Sequence, residues 1–173
     1  MIIAIVIIAQ STTAFALEYT STMDNGQQIL AYVSLNVPKD ITQKSNLVPD
    51  MIEALFPQDL KGLGQAFYEG EQQYNINALF VLAIVRLESG NGTSSLARNH
   101  NNLGGIKSGE DGYRSFATKE ECVKYMFDLL SRKYVSQGRT TIGTIGQIYC
   151  TTDEWVPQVT EIMNDLIMTC NDT

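Results

Sequence analysis

Histidine is nearly missing from this chain. His100 stands alone among 173 residues, so any Ser-His-Asp relay would have to run through that one position. Three cysteines, Cys122, Cys150 and Cys170, form no CxxC pair, and no HExxH spacing occurs. This donor set argues against a zinc centre, and no metal or cofactor is expected. Basic residues are also scarce: 12 Lys and Arg face 19 Asp and Glu, for a net charge of −7 and a pI near 4.6. A surface that tracks nucleic-acid phosphates draws on clustered Lys and Arg, so no nucleic-acid partner is expected. Long apolar runs are lacking as well. None approaches the roughly 20 residues that a membrane-spanning helix needs. There is no internal repeat and no low-complexity linker. What is present, 44% hydrophobic and 18% charged residues, fits one compact domain.

The first 16 residues contain no charge. An apolar core of about eight residues leads through Gln10-Ser11-Thr12-Thr13 to the small-x-small triplet Ala14-Phe15-Ala16. This is the pattern of a secretory signal with its cleavage site, although the usual basic start is missing. The competing reading is a buried N-terminal strand, since Ile and Val favour strands. Residues 1–16 are read as a probable signal peptide, 17–44 as an arm or linker and 45–173 as the domain proper. An exported chain lives where disulfides persist, yet three cysteines cannot all pair internally. Cys150 with Cys170 is the candidate bridge, and three unpaired thiols in packing roles is the alternative. Oligomeric state is not legible.

Along the chain, residues 28–37 have strand-like composition closed by Pro38, which predicts an extended arm or hairpin. Residues 50–56 and 60–74 read as helices. Asn77 then N-caps the run Ala78-Leu79-Phe80-Val81-Leu82-Ala83-Ile84-Val85, and Gly90 or Gly92 can supply the left-handed stop. Thr118 and Glu121 predict a capping box opening a helix with Val123, Phe127, Leu130 and Tyr134 on one face and Lys124, Asp128 and Arg132 on the other. A helix with Ile145 and Ile148 follows. The last helix, from about Asp153, tolerates Pro157 in its first turn and buries Val156, Val159, Met163 and Leu166.

A helix apolar on every side is a buried helix, and Glu88 lies in its last turn. Desolvation and the negative end of the helix dipole both disfavour a carboxylate there, so its pKa should rise. That suits a general acid protonating a glycosidic oxygen near neutral pH. Just beyond it, residues 91–107 are rich in Asn and Gly. Asn101 and Asn102 offer donor and acceptor together, and Gly104 lets backbone approach a ligand, so these are candidate sugar-binding positions. The same residue types also simply build turns. His100 reads as a loop or subsite residue rather than a proton carrier.

Together, Tyr74-Asn75-Ile76-Asn77-Ala78-Leu79, Leu87-Glu88-Ser89-Gly90-Asn91-Gly92-Thr93-Ser94, Leu96-Ala97-Arg98-Asn99 and Asn102-Leu103-Gly104-Gly105-Ile106-Lys107 resemble the glucosaminidase domain of bacterial and phage peptidoglycan hydrolases, glycoside hydrolase family 73. Tyr113-Arg114-Ser115-Phe116 resembles the family's segment before a helix. Tyr149-Cys150-Thr151-Thr152-Asp153-Glu154-Trp155 resembles its Tyr-Ala-Thr-Asp motif, with an aromatic six places after the tyrosine. The resemblance covers about residues 45–168.

It implies a mainly α, lysozyme-like fold and a secreted, cell-wall-associated endo-β-N-acetylglucosaminidase. The partner would be peptidoglycan glycan strands, with no stable membrane insertion once the signal is removed. By matching motif, Glu88 is the general acid and Tyr149 lines the cleft. A phenol with a pKa of about 10 suits orientation better than base catalysis. Tyr113 falls in a matching segment, and Trp155 is either a platform for a sugar ring or a packing residue. The chain departs from the pattern after Lys107, where many members insert a β-lobe carrying a second acid. Here only Ser108-Gly109-Glu110-Asp111-Gly112 intervenes, so the lobe is much reduced, and Glu110 and Asp111 are its only carboxylates. Without a second carboxylate the substrate's N-acetyl group or a sugar hydroxyl would attack. A lytic transglycosylase or muramidase on the same polymer, and a non-catalytic wall-binding module, therefore stay open as alternatives.

Overall fold

A computed structural model describes residues 4–5, 17–22, 28–33, 37–109 and 112–171. The core is built around the apolar run: residues 78–85 are each at most 3% exposed. Such a helix, α3 (Ala78–Ser89), is stable only when wrapped on all sides. Around it the chain supplies α1 (Pro49–Ala54), α2 (Gly64–Tyr74), a short α4 (Ser95–His100), α5 (Lys119–Lys133), α6 (Ile142–Tyr149) and α7 (Trp155–Asn171). Helix α3 packs on α7 and α2, α2 also bears on α1 and α5, and α6 lies against α7. The fold is thus mainly α. Ahead of it, β1 (Ala4–Ile5), β2 (Leu17–Thr22) and β3 (Gln28–Val33) form an antiparallel sheet in the order β1-β2-β3. The β2–β3 hairpin runs in register from Leu17↔Val33 to Thr22↔Gln28. The expected arm is therefore a hairpin. Most of the expected leader at residues 1–16 lies outside the described residues.

The start of α3 is held by two side chains. Asn77 Oδ1 accepts from Leu79 N at 3.0 Å and Phe80 N at 3.2 Å, while its Nδ2 donates to Gln43 O at 2.8 Å. Glu71, with no exposed surface, accepts from Ala78 N at 2.8 Å and from Ser45 N at 2.8 Å through Oε1. Its Oε2 accepts from Ser45 Oγ at 3.2 Å. Three of the four unpaired N–H groups of the helix are satisfied in this way, and the carboxylate sits at the positive end of the helix dipole. Glu71 is thus a fully buried acid whose two oxygens are both used. The same knot draws in the segment before residue 45. Asn77 N donates to Ile41 O at 2.7 Å, Ile41 N donates to Thr140 O at 2.7 Å, and Ile41 is fully buried. The segment around Ile41 is therefore tied to the helical body.

Elsewhere, Val123, Phe127, Leu130 and Tyr134 of α5 are buried as their period predicts, and Arg132 pairs with Asp128 at 2.7 Å on the outer face. Thr118 Oγ1 accepts from Glu121 N at 3.2 Å, but Glu121 reaches back to Ala117 N at 3.1 Å rather than to Thr118 N. The expected helix over 60–74 divides into a 3-10 turn, Gln58–Leu60, and α2. In α7, Val159, Met163 and Leu166 are buried while Val156 is half-buried, and Ile148 of α6 is 60% exposed. The candidate bridge between Cys150 and Cys170 is not formed, and all three thiols are free. Cys150 instead ends α6 with Sγ 3.3 Å from Thr152 Oγ1. Cys122 is buried, and its sulfur accepts from Leu103 N at 3.2 Å. Burial pushes the thiols of Cys122 and Cys170 up to about 11. Among the described residues no helix is long and apolar enough to cross a membrane.

Glu71→Ala leaves three buried donors unpaired and should lower the unfolding free energy by about 3 kcal/mol, read as a fall in the urea midpoint. Glu71→Gln, which keeps an acceptor oxygen, should lose less.

Candidate active site

Glu88 occupies the last turn of α3 because Gly90 ends the helix there. Gly90 is left-handed (φ 55°, ψ 55°), and Asn91 N returns to Arg86 O at 2.8 Å, the hydrogen bond of a Schellman closure. Buried Ser89 braces the turn, its Oγ accepting from Gly92 N at 2.8 Å. Gly92 (φ 85°) has no room for a side chain, since a Cβ would fall 2.7 Å from Leu60 Cδ2. The Ser-Gly-Asn-Gly run is therefore the device that stops a buried helix with its final carboxylate at the surface.

Glu88 is exposed as a residue, which corrects the expectation of a buried carboxylate, yet its surroundings still strip water from the carboxyl. That loss of solvation raises its pKa above the ordinary value, against a lowering contribution from Trp155. The helix dipole acts in the same direction as the desolvation. Trp155 Nε1 donates to Glu88 Oε1 at 3.2 Å. Trp155 opens α7, is 3% exposed, and stacks on Tyr149 with centroids 4.7 Å apart and planes 28° apart. It is therefore packed in the core beside the carboxyl. Tyr134 continues the aromatic row, 6.0 Å from Tyr149. Burial first, then the charge of Glu88, hold the Tyr149 phenol well above its ordinary value, so it stays protonated. The row fits because Gly146 of α6 is bare: a Cβ there would meet Val156 Cγ2 at 2.3 Å and Trp155 Cε3 at 3.1 Å.

The loop facing Glu88 is fixed by an asparagine. Asn102 is 1% exposed; its Nδ2 donates to Ile106 O at 2.9 Å and Arg114 O at 2.8 Å, and its Oδ1 accepts from Ile106 N at 2.9 Å and Gly104 N at 3.3 Å. All four of its side-chain hydrogen bonds go to backbone, so the amide braces the loop. Asn101, left-handed at φ 50°, caps α4 and donates to Phe116 O at 3.1 Å and Ala117 O at 3.0 Å. The helix α4 was expected as loop. Gly104 also differs from its expected place: a Cβ there would meet Met126 Sδ at 2.9 Å, inside the core. Its neighbour Gly105 (φ 60°) is the residue beside the carboxyl, where a Cβ would lie 3.9 Å from Glu88 Oε2.

Beyond the loop, Lys107 bridges Tyr113 in antiparallel fashion and Ser108 N donates to Gly112 O at 3.0 Å, bringing the two sides of this short segment together. Tyr113 is 54% exposed. Glu110 and Asp111 lie outside the described residues. His100 is exposed, with Nδ1 2.8 Å from Ser115 Oγ. Among the described residues no cluster of His, Cys, Asp and Glu could hold a metal ion.

The family profile described as glucosaminidase, mannosyl-glycoprotein endo-beta-N-acetylglucosaminidase, matches residues 64–167, from α2 through most of α7. The chain belongs to the glucosaminidase family. Two curated relatives, each named putative endo-beta-N-acetylglucosaminidase and both from Streptococcus pneumoniae (strains TIGR4 and R6), are 28% identical over 139 residues. Those matches take in 72% of this chain but only 21% and 20% of the relatives, so it spans about a fifth of their length. Among solved structures, S. aureus autolysin E in complex with the muropeptide NAM-L-Ala-D-iGlu superposes with a TM-score of 0.67 at 17% identity, covering 85% of this chain and 82% of that one. A catalytic mutant of autolysin E bound to the disaccharide NAG-NAM gives 0.66 at 16%, with the same coverage. A major bifunctional autolysin gives 0.59 at 20%, covering 87% and 83%. These likenesses establish the glucosaminidase fold.

In this glucosaminidase chain, Asn102→Ala should cost about 3 kcal/mol of stability, because it strands buried backbone groups on both sides of the loop. Asn101→Ala, at a half-exposed cap, should cost about 1 kcal/mol. Urea unfolding of the two variants checks the difference.

Proposed function

We propose that this chain cleaves the glycan strand of bacterial peptidoglycan as an endo-β-N-acetylglucosaminidase, with Glu88 delivering the proton to the glycosidic oxygen. Family membership and the names of the curated relatives support the reaction, and the wall fragments bound to autolysin E support the polymer. The observation that carries the assignment is the carboxyl of Glu88 itself. It is presented at the surface by the end of a buried helix, kept partly dry, and braced by Trp155. Such a group holds its proton to higher pH than an ordinary glutamate, as a general acid must.

Tyr149, held protonated, serves as a hydrogen-bonding group that orients the acetamido group or the attacking water; with its proton retained it is no base. Glu110 and Asp111, in the five residues between Lys107 and Tyr113, are the candidate second carboxylates. The N-acetyl group of the substrate is the alternative nucleophile. Asn101 and Tyr113 remain candidate sugar contacts on the exposed side of the loop, and the uncharged leader is read as directing export to the wall.

Glu88→Gln should reduce the release of reducing ends from purified cell walls at least a thousandfold, as loss of an essential acid does. Retention of wild-type activity would sink the assignment. The sign for stability runs the other way. A carboxyl whose folded pKa is raised contributes stability that is full below its unfolded value and is lost as pH rises through the folded one. At neutral pH Glu88 therefore works against folding, and Glu88→Gln should melt at or above the wild-type temperature in calorimetry. Wild-type activity should fall as pH climbs through the raised Glu88 value.

A further inference from the structure

The two oxygens of Glu88 have different neighbours. Oε1 receives the indole N–H of Trp155 at 3.2 Å; Oε2 lies on the Gly105 side, where even a Cβ would stand 3.9 Å away. An indole N–H donates and cannot accept. In the protonated acid it therefore pairs best with the carbonyl-type oxygen, which leaves the hydroxyl on the other. We propose that Trp155 is a positioning residue that fixes Oε1 of Glu88 and so places the transferable proton on Oε2, on the Gly105 side of the cleft. This rests on the reading of Glu88 as general acid.

In the step itself the Oε2 proton passes to the glycosidic oxygen, and the electron pair of the breaking C–O bond stays with that oxygen. Glu88 becomes a carboxylate, and the indole N–H, already in place on Oε1, stabilises the charge as it forms. Interactions that strengthen as charge develops raise the rate. Trp155 is able to hold this position because it has nowhere else to go. It is buried, one ring face lies on Tyr149, and the notch at Gly146 receives its six-membered ring.

The titratable groups that face Glu88 from the elements packed near it are Tyr149 and Cys150 at the end of α6. Tyr149 keeps its proton, with Tyr134 behind it. Cys150 is the one group besides Glu88 whose ionisation needs separating, since its thiol is drawn below the ordinary value by hydrogen bonds with Thr152.

Trp155 is the sole tryptophan, so its fluorescence reads the contact directly. Wild-type emission should change in a single titration centred above the ordinary carboxylate range. The titration should persist in Cys150→Ser and vanish in Glu88→Gln. Emission that does not titrate in wild type, or that still titrates in Glu88→Gln, overturns the proposal. In activity, Trp155→Phe keeps an aromatic ring but loses the N–H. It should lower kcat about tenfold with KM within about twofold, and shift the alkaline limb of the pH profile upward, because the interaction that favoured the carboxylate is gone. An unmoved limb in Trp155→Phe would reduce Trp155 to packing. If Glu88→Gln still cleaves wall glycan while the fluorescence result holds, the contact stands and the general-acid assignment fails.

Discussion

Burial of α3 on every side is the constraint from which the rest follows. Its eight leading residues are sealed in the core, so water cannot serve its start. At the start, where the dipole is positive, Glu71 and Asn77 supply acceptors to Ala78, Leu79 and Phe80. At the finish, where it is negative, Gly90 turns the chain and Glu88 is left facing out with its solvation reduced. One buried helix thus has a glutamate at each end: Glu71 of α2 accepts from its first N–H, and Glu88 in its last turn sits where the charged form is disfavoured. The same rigidity that stabilises the fold fixes where the second carboxyl points.

The site is completed by close approaches that small residues permit. Gly146 lets α7 begin against α6, which sets Trp155 against Glu88, and Gly92 lets the turn after α3 press on Leu60. Asn102 fastens the Gly105 loop through four hydrogen bonds to backbone. The amide and glycine richness that first suggested sugar contacts is therefore partly the framework that shapes the cleft.

The central helix, its cap and its stop were readable in the chain because an unbroken apolar run between Asn77 and Gly90 admits little else. The period of α5 and the buried face of α7 were readable for the same reason. Glu71 was not, because it lies among polar residues of α2 and its partners, Ser45 and Ala78, come from either side in sequence. Asn101 and Asn102 are chemically identical neighbours, and only the return of Arg114 and Phe116 distinguishes a cap from a brace. Trp155 was equally open between platform and packing until the Gly146 notch and the Glu88 contact were visible. The role of the chain's only tryptophan depends on a helix junction that no local pattern encodes.

A cut after N-acetylglucosamine driven by one proton-bearing carboxyl is read out by mass spectrometry of purified peptidoglycan digested by the wild-type protein. Fragments ending in reducing N-acetylglucosamine are the predicted result; fragments ending in an anhydro sugar or in reducing N-acetylmuramic acid, or an undigested wall, would contradict it.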